Sequence, residues 1–166
     1  MLVTIGYGNV GKRVREMAKG LGMNTKFANT KSSAEELDKI ISEADVVVLC
    51  LPLNDNTKGL IDKRRISLMK KTSILINVAR GLLVDQDALY EVLKSGRIAG
   101  AGIDTFAKDE TINEAREDIM NFTKLPNVVA TPHTAYNTVE AANRLGKELI
   151  ADIDSCIKRG PINVVN

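Results

Sequence analysis

A short apolar run, Leu2 to Ile5, passes directly into Gly6-Tyr7-Gly8-Asn9-Val10-Gly11, and a helical period follows. This strand–glycine–helix junction limits the fold more than any other feature, because each glycine answers a separate steric demand. The first allows a tight turn out of the strand. The second lets a pyrophosphate approach the backbone, and the third lets the helix pack closely on the strand. A helix starting there turns unpaired N–H groups and a positive dipole end toward the turn. The bare pattern also occurs as a turn with incidental glycines. Its position between a strand and a helix favours dinucleotide binding through Gly6, Tyr7, Gly8, Asn9, Val10 and Gly11.

The rest of the chain alternates in the same way. Lys26 to Ala28 reads as a weak second strand. Val46 to Leu49 is a continuous apolar strand, of the kind buried on both faces of a parallel sheet. Ile74 to Val78, Ile98 to Ile103 and Val128 to Ala130 follow as the fourth, fifth and sixth. The first helical period puts Val10, Val14, Met17, Ala18 and Leu21 on one face and stops at Gly20 and Gly22. Ser33-Ala34-Glu35-Glu36 fits a capping box ahead of Leu37, Ile40, Ile41 and Ala44. Asp62 and Asp85 are N-cap candidates for two further helices, the second closing at Gly96. The longest helix carries Val139, Leu145, Leu149, Ile150, Ile153 and Ile157 as its apolar face and ends at Gly160-Pro161. The pattern predicts an α/β fold: a doubly wound parallel sheet of the Rossmann, dinucleotide-binding type. Residues 1–160 form that domain and 161–166 a C-terminal tail. The polar stretch 107–125, with Ile112, Ala115, Ile119 and Phe122 loosely spaced, is expected to leave the sheet.

Composition removes several function classes. Of the 166 residues, 44% are hydrophobic and 27% charged, so the chain has the makings of a packed core. Lys and Arg number 23 against 21 Asp and Glu, and no strong field points to nucleic acid or an anionic membrane. The apolar run Val46 to Leu53 is too short to cross a bilayer. A single histidine, His133, excludes a His-rich metal centre, and Cys50 and Cys156 make no metal-ligand spacing. No secretory segment is visible, so a reducing cytoplasmic setting is expected.

NAD-binding sheets usually place an acid at the end of the second strand, roughly 20 residues on, to hold the ribose 2′-OH. Here Ala28-Asn29-Thr30-Lys31 offers none. Asn29, Thr30 and Lys31 therefore admit NADP as well as NAD. Lys31 either attracts a 2′-phosphate or is a solvated turn residue.

Four more segments stand downstream: Leu51-Pro52-Leu53-Asn54-Asp55-Asn56-Thr57-Lys58-Gly59, Asn77-Val78-Ala79-Arg80-Gly81, Gly100-Ala101-Gly102-Ile103-Asp104, and Thr131-Pro132-His133-Thr134-Ala135. In order and spacing, and together with the glycine loop, they resemble the D-isomer-specific 2-hydroxyacid dehydrogenase family over nearly the whole chain. Arg80 follows the fourth strand at the edge where ligands bind in this architecture. Its guanidinium is a planar fork for a carboxylate, or it pairs locally with Asp85. His133 follows the sixth strand at the same edge, either as a proton donor and acceptor or as a structural residue.

The resemblance implies hydride transfer between a nicotinamide cofactor, NAD or NADP, and a 2-oxo or 2-hydroxy acid. Arg80 would hold the carboxylate and His133 would protonate the keto oxygen. The family pairs its histidine with a glutamate; the matching position is Asp109, one methylene shorter, with Glu110 beside it. Both also read as exposed charges. The resemblance further implies that Asp104 contacts the nicotinamide carboxamide, although it also reads as a strand-end turn residue. The implied cofactor-binding set extends to Leu51, Pro52, Thr57, Val78, Ala79, Arg80, His133 and Ala135. A symmetric homodimer using the 107–125 excursion is expected.

Family members also carry a substrate domain, built mostly from residues before the glycine loop. Only five residues precede Gly6 here. The expectation is the cofactor-binding and catalytic half of such an enzyme. The alternatives are a stand-alone dinucleotide-binding module without chemistry, and an interaction protein docking through Ile162 to Val165. Arg80 and His133 favour the first, since neither alternative needs them. Phosphoglycerate, glyoxylate, hydroxypyruvate and lactate-type substrates all stay open.

Overall fold

The computed structural model describes residues 1–29, 31–107 and 119–164. They fall into two compact units, Met1–His133 and Thr134–Asn166. In the first unit every apolar run read as a strand is one: β1 (Leu2–Ile5), β2 (Thr25–Ala28), β3 (Val46–Leu49), β4 (Ile74–Asn77), β5 (Gly100–Ile103) and β6 (Val128–Ala130). They form one parallel sheet in the order β2-β1-β3-β4-β5-β6. β5 begins at Gly100 rather than Ile98. The Ala99 N–H donates to Ser73 O outside the ladder, and the backbone comes so close to Asn127 that a Cβ on Gly100 would lie 2.6 Å from its carbonyl oxygen.

Right-handed crossovers fix where the helices lie. The connection from β1 to β2 runs toward one edge, and the later ones run toward the other. Helix α1 (Asn9–Gly20) therefore covers one face, while α2 (Ala34–Glu43), α3 (Lys63–Leu68) and α4 (Gln86–Lys94) share the opposite face. Two separate apolar clusters follow. The larger joins Leu37, Ile41, Ile66, Leu89 and Leu93 of the three helices to Val3, Val47, Leu75 and Ile103 of the sheet. The smaller holds Ala18 and Val14 of α1 against Leu2 and Val48.

Two expectations about helix faces are corrected. Of the face read for α1, Ala18 is buried and Val14 packs beside it, joined by buried Gly11, whereas Val10, Met17 and Leu21 are exposed. In the second unit, α5 (Val139–Lys158) has no buried residue, and the whole apolar stripe read for it, including Leu149 and Ile153, is exposed. No helix among the described residues is long and apolar enough to cross a membrane.

The 107–125 stretch lies largely outside the described residues, which resume with helical residues 119–123. Ile112 and Ala115 are outside them. Phe122 is only 4% exposed, and it meets Tyr90 edge-on at 5.5 Å and Phe106 at 5.8 Å. Ile119 packs against the same core. The expected use of these two side chains as an assembly surface is thus corrected, because the core under α4 takes them.

Candidate active site and cofactor cleft

One row of register partners closes the sheet: Ala28, Ile5, Leu49, Asn77, Ile103 and Ala130. All six strands are parallel, so the segments that follow them emerge at one carboxyl edge, where open α/β sheets bind ligands.

At the β1 end, the Gly6 N–H donates to Ala28 O at 2.8 Å and the Cys50 N–H to Ile5 O at 2.8 Å. Gly6 has φ 107°, and a Cβ there would sit 2.2 Å from Cys50 O. A Cβ on Gly11 would lie 2.4 Å from Gly6 O, whereas one on Gly8 meets nothing within 4 Å. Two glycines therefore serve the chain's own packing, and the third faces open space. The helix caps point the same way. Ser33, Asp62, Asp85 and Thr138 each accept a backbone N–H at the start of their helices, but α1 has Gly8 as N-cap and no side-chain cap. Its first N–H groups suit an anion.

A cleft of about 640 Å³ opens here. Of the residues the sequence reading assigns to a cofactor, Gly6, Tyr7, Gly8, Asn29, Lys31, Leu51, Pro52 and Thr57 line it. Ser32, Cys50 and Asn54 also line it; Ser32 and Cys50 lie outside the quoted segments, and Asn54 lies inside one without an assignment to the cofactor. Asn9, Val10 and Gly11 stay in the first turn of α1 and are not among the lining residues. Thr30 lies outside the described residues. The hydroxyl of Thr57 donates to Pro52 O at 2.8 Å and accepts the Asn54 N–H at 2.8 Å, which shapes the loop after β3. Burial pushes the Cys50 thiol up to about 11, so it stays protonated at neutral pH. The Tyr7 ring stacks on Phe27 at 4.1 Å, with the Arg15 guanidinium 4.8 Å from the Phe27 ring. This braces the turn from the β2 side.

At the β4–β6 end, buried Asn77 builds the turn that carries Arg80. Its Nδ2 donates to Arg80 O at 2.9 Å, and its Oδ1 accepts the Ala79 N–H at 3.1 Å. Gly81 follows because a Cβ would meet the Phe106 carbonyl carbon at 2.0 Å. Val78 and Arg80 are exposed and Ala79 half-buried. The local pairing of Arg80 with Asp85 does not form: Asp85 caps α4 through the Ala88 N–H at 3.0 Å, and Arg80 donates to Ala79 O at 2.7 Å. A fork-shaped cation is thus left at the ligand edge.

Asp104 ties the neighbouring strand ends together. It is 4% exposed, its N–H donates to Asn77 O, and its carboxylate accepts from Thr131 Oγ1 at 2.5 Å. Its carbonyl accepts the His133 N–H at 2.7 Å. His133 is exposed and has φ 55°, the left-handed region that is uncommon outside glycine. Such strain collects at functional sites. Ala135 lies in the second unit, and Asp109 and Glu110 lie outside the described residues. No group of side chains among the described residues is arranged to hold a metal ion.

Residues 1–135 match the family model described as "D-isomer specific 2-hydroxyacid dehydrogenase, NAD binding domain". The glycerate dehydrogenase of Methylorubrum extorquens is 36% identical over 163 residues, covering 97% of this chain and 51% of that protein. A D-isomer-specific 2-hydroxyacid dehydrogenase from Lactobacillus delbrueckii ssp. bulgaricus, solved in its NAD complex, superposes with TM-score 0.89 at 32% identity. The match covers 99% of this chain and 55% of that one. An acyclic imino acid reductase solved with NADPH and D-Arg superposes with TM-score 0.85 at 32% identity, over 99% of this chain and 53% of that one. The chain spans about half the length of the relatives it matches.

Proposed function

Because the chain belongs to the D-isomer-specific 2-hydroxyacid dehydrogenase family and corresponds to its NAD-binding domain, we propose that it is the cofactor-binding and catalytic half of an oxidoreductase acting on a small 2-oxo or 2-hydroxy acid. The observation that carries this is the single register row. It sets the glycine loop, the Arg80 turn, Asp104 and His133 at one edge of one sheet. Neither a cofactor sensor nor a docking module needs an exposed guanidinium and a histidine at the same sheet edge as the glycine loop.

When bound, the dinucleotide supplies or accepts a hydride. Similar proteins have been solved with NAD and with NADPH, so either fits the family. Gly8 and the first turn of α1 hold the pyrophosphate. Arg80 takes the substrate carboxylate in its fork and polarises the keto oxygen, and His133 gives that oxygen its proton. By the family pattern Asp109, or Glu110 beside it, would be the carboxylate partner of His133. Glycerate, glyoxylate, hydroxypyruvate and phosphoglycerate types are the candidate substrates, since similar proteins include a glycerate dehydrogenase, a glyoxylate reductase, a hydroxypyruvate reductase and a D-3-phosphoglycerate dehydrogenase. The same reading carries a homodimer in a cytoplasmic setting. Light scattering at high micromolar concentration checks the dimer, and a monomer there counts against it.

The test is ternary-complex binding. Reduced cofactor is titrated into the protein, followed by oxamate, an unreactive mimic of a 2-oxo acid. Oxamate should bind only after the cofactor, and Arg80→Gln should weaken it by ~10-fold or more while sparing the cofactor. Equal oxamate binding by Arg80→Gln would remove Arg80 from the site, and no dinucleotide binding at all would overturn the reading.

A further inference from the structure

We propose that the chain prefers NADP(H) to NAD(H), its 2′-phosphate being held by the side chains of Asn29, Lys31 and Ser32 at the end of β2. The inference rests on the dinucleotide reading above and concerns the chemistry of one end of that cleft. An NAD ribose presents a vicinal diol, which calls for an acceptor such as a carboxylate. A 2′-phosphate presents only acceptors and negative charge, so it calls for donors and a cation. Among the described residues that line the cleft none is acidic, and Lys31 is the only charged one.

The hydrogen bonds in the turn sharpen the contrast. The Lys31 N–H donates to Asn29 Oδ1 at 2.8 Å, which turns that oxygen toward the backbone and fixes the orientation of the amide. The remaining polar atom, Nδ2, only donates. Ser32 Oγ accepts the Asn29 N–H at 3.3 Å, which leaves its hydroxyl hydrogen to be donated. Lys31 makes no ion pair among the described residues. Asn29 Nδ2, Ser32 Oγ–H and Lys31 Nζ are thus three donors with one positive charge. The backbone does not compete for the ligand, because the Ser32 N–H donates to Asn29 O and the Ser33 N–H to Glu36 Oε2. The nearby glutamates are engaged as well: Glu36 in that capping box, and Glu43 with Lys26 Nζ at 2.8 Å.

Calorimetric titration of the protein with NADP and NAD at one ionic strength tests the proposal, with adenosine 2′,5′-bisphosphate and 5′-AMP as minimal probes. NADP should bind at least ~10-fold tighter, or ~1.4 kcal/mol, and the bisphosphate should exceed AMP likewise. Lys31→Ala should weaken NADP by ~10-fold and leave NAD within ~2-fold, and Asn29→Asp should reverse the preference. NAD binding as tightly as NADP overturns the proposal and leaves the dinucleotide reading intact, as does an equal loss of both cofactors in Lys31→Ala. Failure of both cofactors to bind overturns both.

Discussion

At the scale of single residues, the glycine loop separates folding from function. Gly6 and Gly11 would each drive a Cβ into a backbone oxygen, at 2.2 and 2.4 Å, but Gly8 would not. Gly6→Ala should therefore destabilise the fold, by ~2 kcal/mol or more, since close contact and a positive φ act together. Gly8→Ala should melt within ~0.5 kcal/mol of the parent and yet lose dinucleotide affinity by ~10-fold or more. Thermal melts and calorimetry on the same samples check both. A Gly8→Ala protein that binds cofactor normally would take the pyrophosphate elsewhere. Another residue-scale feature has no functional reading. Thr4, in the middle of β1, is fully buried and its hydroxyl has no partner. Valine has the same shape without the polar atom, so Thr4→Val should stabilise by ~1 kcal/mol, read as a shift in the denaturation midpoint.

At the scale of elements, side-chain caps and one charged tie set the helices on the larger core. Asp85→Ala frees the Ala88 N–H at the start of α4 and should cost ~1 kcal/mol, a fall of ~2–4 °C in Tm for a chain of this length. The tie joins α2 to α3: Asp38 accepts a bidentate pair from Arg64 at 2.6 and 2.9 Å and another bond from Arg65 at 2.9 Å. The Arg64 guanidinium, with Arg65 beside it, holds the Asp38 carboxyl below the usual range. A carboxyl lowered in the folded state contributes stability above its unfolded pKa, ~3.9, and loses it as pH falls through the lower folded value. Asp38→Asn should therefore lower Tm at pH 7, with the difference closing in strong acid and shrinking in high salt. These caps were readable from the sequence because Ser33, Asp62 and Asp85 bond to residues three positions on. The strands were readable because both faces of the sheet are apolar. The Asp38 tie was not, since its partners lie 26 and 27 positions away. The face of α1 was only half legible for a related reason: Val14 and Ala18 do pack on the sheet, but Gly11 packs by being small, and helical hydrophobicity added the exposed Val10, Met17 and Leu21 in its place.

At the scale of the whole chain, the order β2-β1-β3-β4-β5-β6 explains both what the fold assembles and what it leaves open. Parallel strands in one register carry motifs far apart in sequence to a common edge. The sequence reading could therefore name Arg80 and His133 without knowing their surroundings. It quoted Asn77 and Thr131 within its segments but gave them no role: Asn77 builds the Arg80 turn by bonds to residues two and three positions on, and Thr131 holds Asp104 from 27 positions away. The finished edge still presents Arg80 and His133 to solvent. Water screens their charges, so a small 2-oxo acid is held weakly and without a fixed angle to the nicotinamide. A misplacement of ~1 Å can cost ~100-fold in rate, and water exclusion is a large part of what a closed site supplies. Binding of the cofactor makes smaller demands, since the glycine loop, the α1 N-terminus and the 640 Å³ cleft are already formed. The 166-residue chain assayed by itself should thus bind reduced cofactor and turn over 2-oxo acids very slowly or undetectably. Steady-state oxidation of NADPH and NADH across glyoxylate, hydroxypyruvate, pyruvate and phosphohydroxypyruvate measures this directly. Brisk turnover that vanishes in His133→Ala would mean that one open edge of the sheet suffices for catalysis, and that screening and misalignment are weaker here than their physical scale suggests.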